Sequence, residues 1–303
     1  MAWSLAPLFF VCAIACVTLA CTPRSSAGPD ARASSAALHQ PRTFVWAIEG
    51  ASQADGSSPV TYALADDGTV VSQAPGIRIW AAGTEWTNEV SVESVPTTPC
   101  TGPDLAAQEG RAVRVRLVPR DASRAPIEVV TPAKEDQANE VQQSARLLAS
   151  LGPYVFVEES TYAYTCGAHG NTGVAFSAWN IEDGHQVDLL SELPDREALL
   201  AAGKRAIDAR ADAVDFSRPD DPPTLTELLP RIGPRGHLEA GVLVTVASCY
   251  ACTEGGWSSY TVSTEVPTQL PWRLRALGQP PASVGIFSDA HPGLTIGGYS
   301  VAH

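Results

Sequence analysis

The first twenty residues contain no Asp, Glu, Lys or Arg, and from Leu5 to Ala20 nearly every side chain is apolar. The run ends in small residues, and a stretch rich in Ser, Ala and Pro follows. That pattern reads as a signal peptide, not as part of a fold. It constrains everything downstream. A chain exported behind such a segment folds where thiols oxidise, so its remaining cysteines are candidates for structural cross-links. As an uncleaved anchor the run sits near the short limit of ~17–25 residues for a spanning helix.

The segment Val17-Thr18-Leu19-Ala20-Cys21 resembles a bacterial lipobox, in which a small residue precedes the acceptor Cys. Thr18 stands where Leu is usual, and no Lys or Arg precedes the apolar run. The thiol of Cys21 would accept a diacylglyceryl group. Cleavage before it would leave an N-terminus carrying acyl chains such as palmitate. The expectation is an exported lipoprotein tethered at Cys21 to a bacterial membrane, facing the periplasm or the cell exterior. Ordinary cleaved secretion is the second reading. Residues 21–41 then hold the lipidated Cys and a tether without periodicity and with almost no large apolar side chains.

The net charge of −13 lies wholly beyond residue 20. It argues against nucleic acid and anionic lipid as partners and permits a basic protein. Residues 42–132 read as a β-rich domain. Short β-prone runs at 43–48, 59–64, 69–72 and 77–81 are separated by Gly and Asp-Gly turns. Residues 112–118 alternate, with Val113, Val115 and Leu117 on one face and Arg114 and Arg116 on the other. Residues 133–303 read as an α+β domain. A helix is expected over Ala133–Leu151 and a second over Asp195–Val214, with Leu200, Ile207, Ala211 and Val214 at helical spacing. A short helix is expected over Thr224–Arg231. Strands are expected at 154–158, 173–181, 241–248 and 259–266. Glu182-Asp183-Gly184 makes a hairpin turn into 185–190. The tail from Arg273 is rich in Gly and Pro. The class is α+β, mostly antiparallel β-sheet with two or three packed helices.

Two stretches carry a resemblance: Tyr162-Ala-Tyr-Thr-Cys-Gly-Ala-His-Gly170, and Phe176-Ser-Ala-Trp-Asn-Ile-Glu-Asp-Gly-His-Gln-Val-Asp-Leu-Leu190. Together they resemble the extracellular domain of lysozyme-sensing anti-sigma factors, which also occurs as an accessory domain of some peptidoglycan polysaccharide deacetylases. Gly167, Ala168, His169 and Gly170 match the family motif, and Cys166 replaces its first Gly. The resemblance covers roughly residues 135–275 and implies a binding or structural module. Deacetylase activity in such relatives belongs to a separate domain with a His-x-x-His metal site, and this sequence has no His-x-x-His.

Seven cysteines are present. With Cys12 and Cys16 in the signal and Cys21 assigned to lipid, Cys100, Cys166, Cys249 and Cys252 remain. An even number in an exported chain favours two disulfides, in any of three connectivities. The preferred arrangement joins Cys249 to Cys252 and Cys100 to Cys166. Two other readings compete. Cys249-Tyr-Ala-Cys252 has redox spacing but leads into Thr-Glu-Gly-Gly, not a helix whose dipole would lower a thiol pKa. Cys166, His169, Cys249 and Cys252 have spacing for a Cys₃His zinc site. That set leaves Cys100 without a role, and the resembled family lacks a Cys at position 166.

His169 is read as closing a bend by hydrogen bonding to backbone, with Gly167 and Gly170 permitting the turn. The competing role is a general base assisted by Asp183, His185 or Asp188. Trp80, Trp86, Trp179, Trp257 and Trp272 are read as core or partly buried residues, with a sugar-binding platform as the alternative. The resulting expectation is a non-catalytic envelope lipoprotein without a cofactor. It would bind a basic protein, such as a lysozyme-like hydrolase, or a cell-wall glycan. The alternative is a metal- or His-dependent hydrolase centred on His169. Replacing the lipid acceptor, Cys21→Ala, is expected to release the chain from membranes or leave it unprocessed. Membrane fractionation with intact-mass measurement checks this.

Overall fold

The computed structural model describes residues 42–50, 58–100, 108–134, 138–166, 170–213, 221–247 and 261–302. Within them the chain forms β1 (Thr43–Glu49), β2 (Val60–Leu64), β3 (Val70–Pro75), β4 (Arg78–Ala81), β5 (Thr84–Val95), β6 (Gly110–Pro119) and β7 (Ile127–Val130). There follow β8 (Glu140–Leu151), β9 (Tyr154–Tyr164), β10 (Asn171–Asn180), β11 (His185–Val187), α1 (Arg196–Ala213), β12 (Thr224–Ile232), β13 (Leu238–Ala247), β14 (Thr261–Thr268), α2 (Ala282–Ala290) and β15 (Leu294–Val301). The fold is α+β and mostly β.

The strands run in the order β11-β10-β9-β8-β15-β1-β2-β3. Strands β12, β13 and β14 branch off at β15, and β4 to β7 branch off at β8 through β6. Most pairs are antiparallel. The sheet is nonetheless mixed, because β8 runs parallel to β15 at Ser150 and Leu151 and to β6 at Gln142.

Strand β1 explains why two cores form. Thr43 to Ile48 are all buried, the signature of a strand covered on both faces. Val45 and Ala47 enter one core with Leu228, Val284 and Phe287. Trp46 enters the other with Ile79, Trp86 and Leu117. Both cores draw on residues before and after position 132, and residues 39–303 form one compact unit. The expected boundary at 132/133 therefore separates nothing.

Two other expectations are corrected. Ala133–Leu151 is not a helix; its described C-terminal part is β8. Ala, Leu, Gln and Arg are among the better helix formers, but propensity is a weak guide that tertiary context overrides. Here eleven residues of β9, rich in aromatic and β-branched side chains, pair along it, and tertiary pairing overrides the preference. A bulge near Leu148 then switches the alternation. Leu147 packs in one core, and Ala149 and Leu151 in the other. Thr224–Arg231 is strand β12, not a short helix. Pro230 would break a helix interior, while one side of β12 is open except where Ile232 meets Ile296. The tail contains α2 and β15, and β15 lies inside the sheet.

The hairpin at 182–184 forms as expected. Asn180 pairs with His185, and Gly184 takes φ 72°. Helix α1 also forms and packs on β13 and β14. Gly203 allows the close approach, since a Cβ there would lie 2.4 Å from the Val244 Cβ.

The tightest junction joins β1, β15 and β8. The Trp46 indole Nε1 donates to Ser150 Oγ at 2.8 Å. The β1–β15 register shifts after Trp46, which pairs with Gly298 while Ala47 pairs with Ile296. Gly297 is the extra residue, and the Trp46 ring lies where its side chain would be. Gly297→Ala would place a Cβ 1.9 Å from that ring. The expected loss is about 1–3 kcal/mol by chemical denaturation, as for other overpacked sites. Gly173→Ala, with nothing within 4 Å of the new Cβ, should stay within about 0.5 kcal/mol of the parent.

Candidate functional site

Cys100 and Cys166 form a disulfide with Cα atoms 5.4 Å apart, closing a sequence separation of 66 residues. It ties the segment after β5 to the end of β9. The sulfur of Cys166 is thereby unavailable as a thiolate, which removes it from the four-residue zinc set. The other three members, His169, Cys249 and Cys252, lie outside the described residues, as do Gly167, Ala168 and Trp257. Gly170 is described, and the Tyr162 ring occupies the space where its Cβ would be.

The acidic and imidazole candidates near the hairpin have local structural work. The Asp183 carboxylate accepts from Asn180 Nδ2 and from the His185 backbone N–H, both at 3.0 Å. Asp188 Oδ1 accepts from the Ser191 N–H at 3.1 Å. Both are turn-forming contacts of exposed Asx residues. Among the described residues no group of three or more His, Cys, Asp or Glu is arranged to hold a metal ion. The tryptophans serve separate roles. Trp86 is buried and donates to the Ala81 carbonyl. Trp80 stacks on Phe44. Trp179 donates to Ser177 and packs against the second core. Trp272 is exposed, with the Arg273 guanidinium 5.0 Å over its ring.

A different constellation stands out. A cleft of about 590 Å³ opens between β12 and the central strands, with Trp46, Arg146, Glu158, Glu227, Leu229 and Ile296 in its walls. Antiparallel pairing of β8 with β9 sets Arg146 opposite Glu158. The guanidinium grips both carboxylate oxygens, Nε to Oε1 at 2.7 Å and Nη2 to Oε2 at 3.0 Å. That two-pronged geometry is the strong form of the pair. It holds the Arg146 pKa above its ordinary value.

Glu227 reaches the cleft because β12 bulges. Its register against β13 shifts between Leu225 and Glu227, and a bulge re-aims the side chains around it. Leu228 next to it turns into the first core. Glu227 is only 6% exposed, yet no hydrogen bond or ion pair reaches its carboxyl from the described residues. Burial pushes its pKa up, and the negative charge of Glu158 pushes it further; the positive charge of Arg146 pulls the other way. Of the three carboxyls lining the cleft, Glu239 is exposed and the other two differ sharply. Glu158 is fully engaged by a cation, whereas Glu227 is buried and without a partner.

Sequence reasoning missed Arg146, Glu158 and Glu227. Two of them sat in segments read as helices. The available signal was Pro230, which argues against a helix and for an edge strand carrying Glu227. The opposition of Arg146 and Glu158 depends on strand register, and nothing local announces it.

No family model matches the chain, and no curated protein matches it. Among solved structures, a DUF3298 family protein from Pseudomonas aeruginosa PAO1 is similar at 14% identity, over 66% of this chain and 96% of that one, with a TM-score of 0.30. A likeness this loose carries no argument about function.

The raised pKa of Glu227 has a consequence for stability. Unfolded, the carboxyl ionises at its ordinary value. Between that value and the raised one, the folded chain keeps a proton that the unfolded chain has lost. Stability therefore falls as pH rises through the window and stays lower above it. Glu227→Gln removes this loss. An unpaired buried polar group costs about 1–3 kcal/mol. Relief of ~1 kcal/mol raises the melting temperature of a chain this size by about 2–4 °C. The variant is expected to melt higher than the parent near pH 7, with the gap closing toward pH 4. Thermal denaturation at both pH values checks this.

Proposed function

We propose that this chain is a non-catalytic, exported lipoprotein, anchored through Cys21, that binds a partner in the cell envelope. The preferred partner is a basic protein such as a lysozyme-like hydrolase, and the other candidate is a cell-wall glycan. Three features support export and anchoring: the apolar N-terminal run, the small residue before Cys21, and the Cys100–Cys166 disulfide, of a kind that persists in oxidising compartments. No helix among the described residues is long and apolar enough to cross a membrane. The net charge of −13 favours encounter with a basic partner.

The observation that favours binding over catalysis is the state of the cleft carboxyls Glu158 and Glu227, the third, Glu239, being exposed. Hydrolysis by a carboxyl pair needs an acid and a second carboxylate free to act as nucleophile or base. Both oxygens of Glu158 are bonded to Arg146. One buried carboxyl, Glu227, is left to meet a ligand. Capture experiments with the lipidated chain test the reading. The intact protein is expected to retain a lysozyme-like basic protein at low ionic strength and to release it as salt screens the attraction, while peptidoglycan incubated with it stays uncleaved. Cleavage of peptidoglycan, or capture of neither the basic protein nor the glycan, would overturn it.

A further inference from the structure

Charged side chains are almost never fully buried unless paired, and a buried carboxyl without a partner forgoes hydrogen bonds that water would have supplied. Glu227, at 6% exposure, has no protein partner among the described residues, and its carboxyl oxygens are not fully enclosed but open only to the cleft. The cations around it are already committed. Arg146 is bonded to both oxygens of Glu158. Arg231, also in the cleft wall, is bonded to both oxygens of Glu265. Of the cleft's three carboxyls, Glu239 is exposed and Glu227 is the buried one left over, facing open space in a cleft of about 590 Å³. That volume lies in the range of small-molecule and side-chain pockets.

The geometry points to a site for one organic cation, an ammonium or guanidinium on an apolar stem, with Glu227 as its acceptor. The inference deepens the binding reading above and rests on it for the existence of a ligand. The cleft's two guanidinium groups, Arg146 and Arg231, are each paired with a carboxylate, so Glu227 and Glu239 leave it with an excess of acidic groups that disfavours an anion. A hard metal ion needs several oxygen ligands, and the described residues assemble no such group. An ammonium or guanidinium needs only the one carboxylate and supplies the donors it lacks. The apolar walls, Trp46, Leu147, Leu229 and Ile296 among them, suit an alkyl stem of the kind Lys and Arg carry. The cation comes from a free amine or from a polypeptide side chain, and the two sources share this chemistry.

Binding is linked to protonation. The charged groups facing the cleft are Arg146 from β8, Glu158 from β9, Arg231 and Glu227 from β12, and Glu239 from β13. Glu227 is the one whose carboxyl is pushed up. A cation stabilises its ionised form, so binding expels a proton wherever Glu227 is still protonated. Affinity should rise with pH across its titration, while an alkylammonium stays charged to about pH 10.

The test is isothermal titration of the intact chain with n-butylamine, n-butylguanidine and n-butanol, and with short peptides bearing a single Lys or Arg. Buffers of different ionisation heat read the proton release. The cations are expected to bind about tenfold or more tightly than the alcohol, as one charge-assisted hydrogen bond allows. Glu227→Gln should remove that preference and the proton release, with its melting temperature no lower than the parent's. Glu227→Asp, which keeps the charge, should retain part of the preference. Binding of the free amines assigns the site to small amines; binding of the peptides alone assigns it to a polypeptide side chain. Unchanged cation affinity in Glu227→Gln, or no binding by any amine, guanidine or peptide, overturns the inference. If the amines bind but no basic protein is captured, the envelope-partner reading falls and the site stands. If the basic protein is captured equally by Glu227→Gln and that variant also keeps the parent's preference for the cations, the site falls and that reading stands.

Discussion

The Trp46 indole wedged between β15 and β8 holds the two ends of the described chain together. One face of its ring needs Gly297 to lack a side chain, and its N–H needs Ser150 as acceptor. Gly298 is under a similar constraint, because a Cβ there would strike the Ser150 backbone. Through these contacts the last strand is threaded between the first and the eighth. Every strand on either side takes its place from that threading, including β12, which reaches the sheet at Ile296. The cleft exists because Trp46 and Gly297 form one wall while β12 forms another.

Buried polar groups in this fold divide into two kinds. Gln143 is only 6% exposed, and its amide is saturated. It accepts from the backbone N–H groups of Val113 and Ala133 and donates to the Thr131 carbonyl and to Glu159. It thereby links β6, β8, β9 and the segment after β7. Such a network specifies a single arrangement, since any slip strands several donors and acceptors at once. Glu227 is equally buried and has none of this. A fold that satisfies Gln143 so fully and leaves Glu227 open has a local reason at Glu227, and the reason we offer is a ligand.

The Cys100–Cys166 bridge acts on the other side of the folding equilibrium. It closes a long loop, and loss of chain entropy in the unfolded state stabilises the fold, by roughly 4 kcal/mol for a loop of this order in the chain-entropy picture. Together with the Thr98 N–H to Ala138 carbonyl bond and the Asn139 N–H to Tyr164 carbonyl bond, it gathers the far ends of β5, β8 and β9. The core on that side need not carry the whole cost of ordering two long hairpins.

What the residues alone determine is local or compositional. The alternation of Val113, Val115 and Leu117 with Arg114 and Arg116 specifies a half-buried strand. Glu182-Asp183-Gly184 specifies a hairpin because Gly takes the positive φ without strain. The spacing of Leu200, Ile207 and Ala211 specifies α1, and the parity of the cysteines favours cross-linking. Each signal lies within a dozen residues or follows from simple counting. The tertiary structure alone decides the rest. Residues 140–151 become a strand because β9 pairs with them, against their own helical preference. The tail becomes a central strand because Gly297 and Gly298 fit between Trp46 and Ser150. Arg146 meets Glu158, and Glu227 is left without a partner, only because three distant strands converge in one register. Side-chain pairing across strands depends on which strands are neighbours, and that is set by packing over separations of more than a hundred residues, which no local pattern encodes.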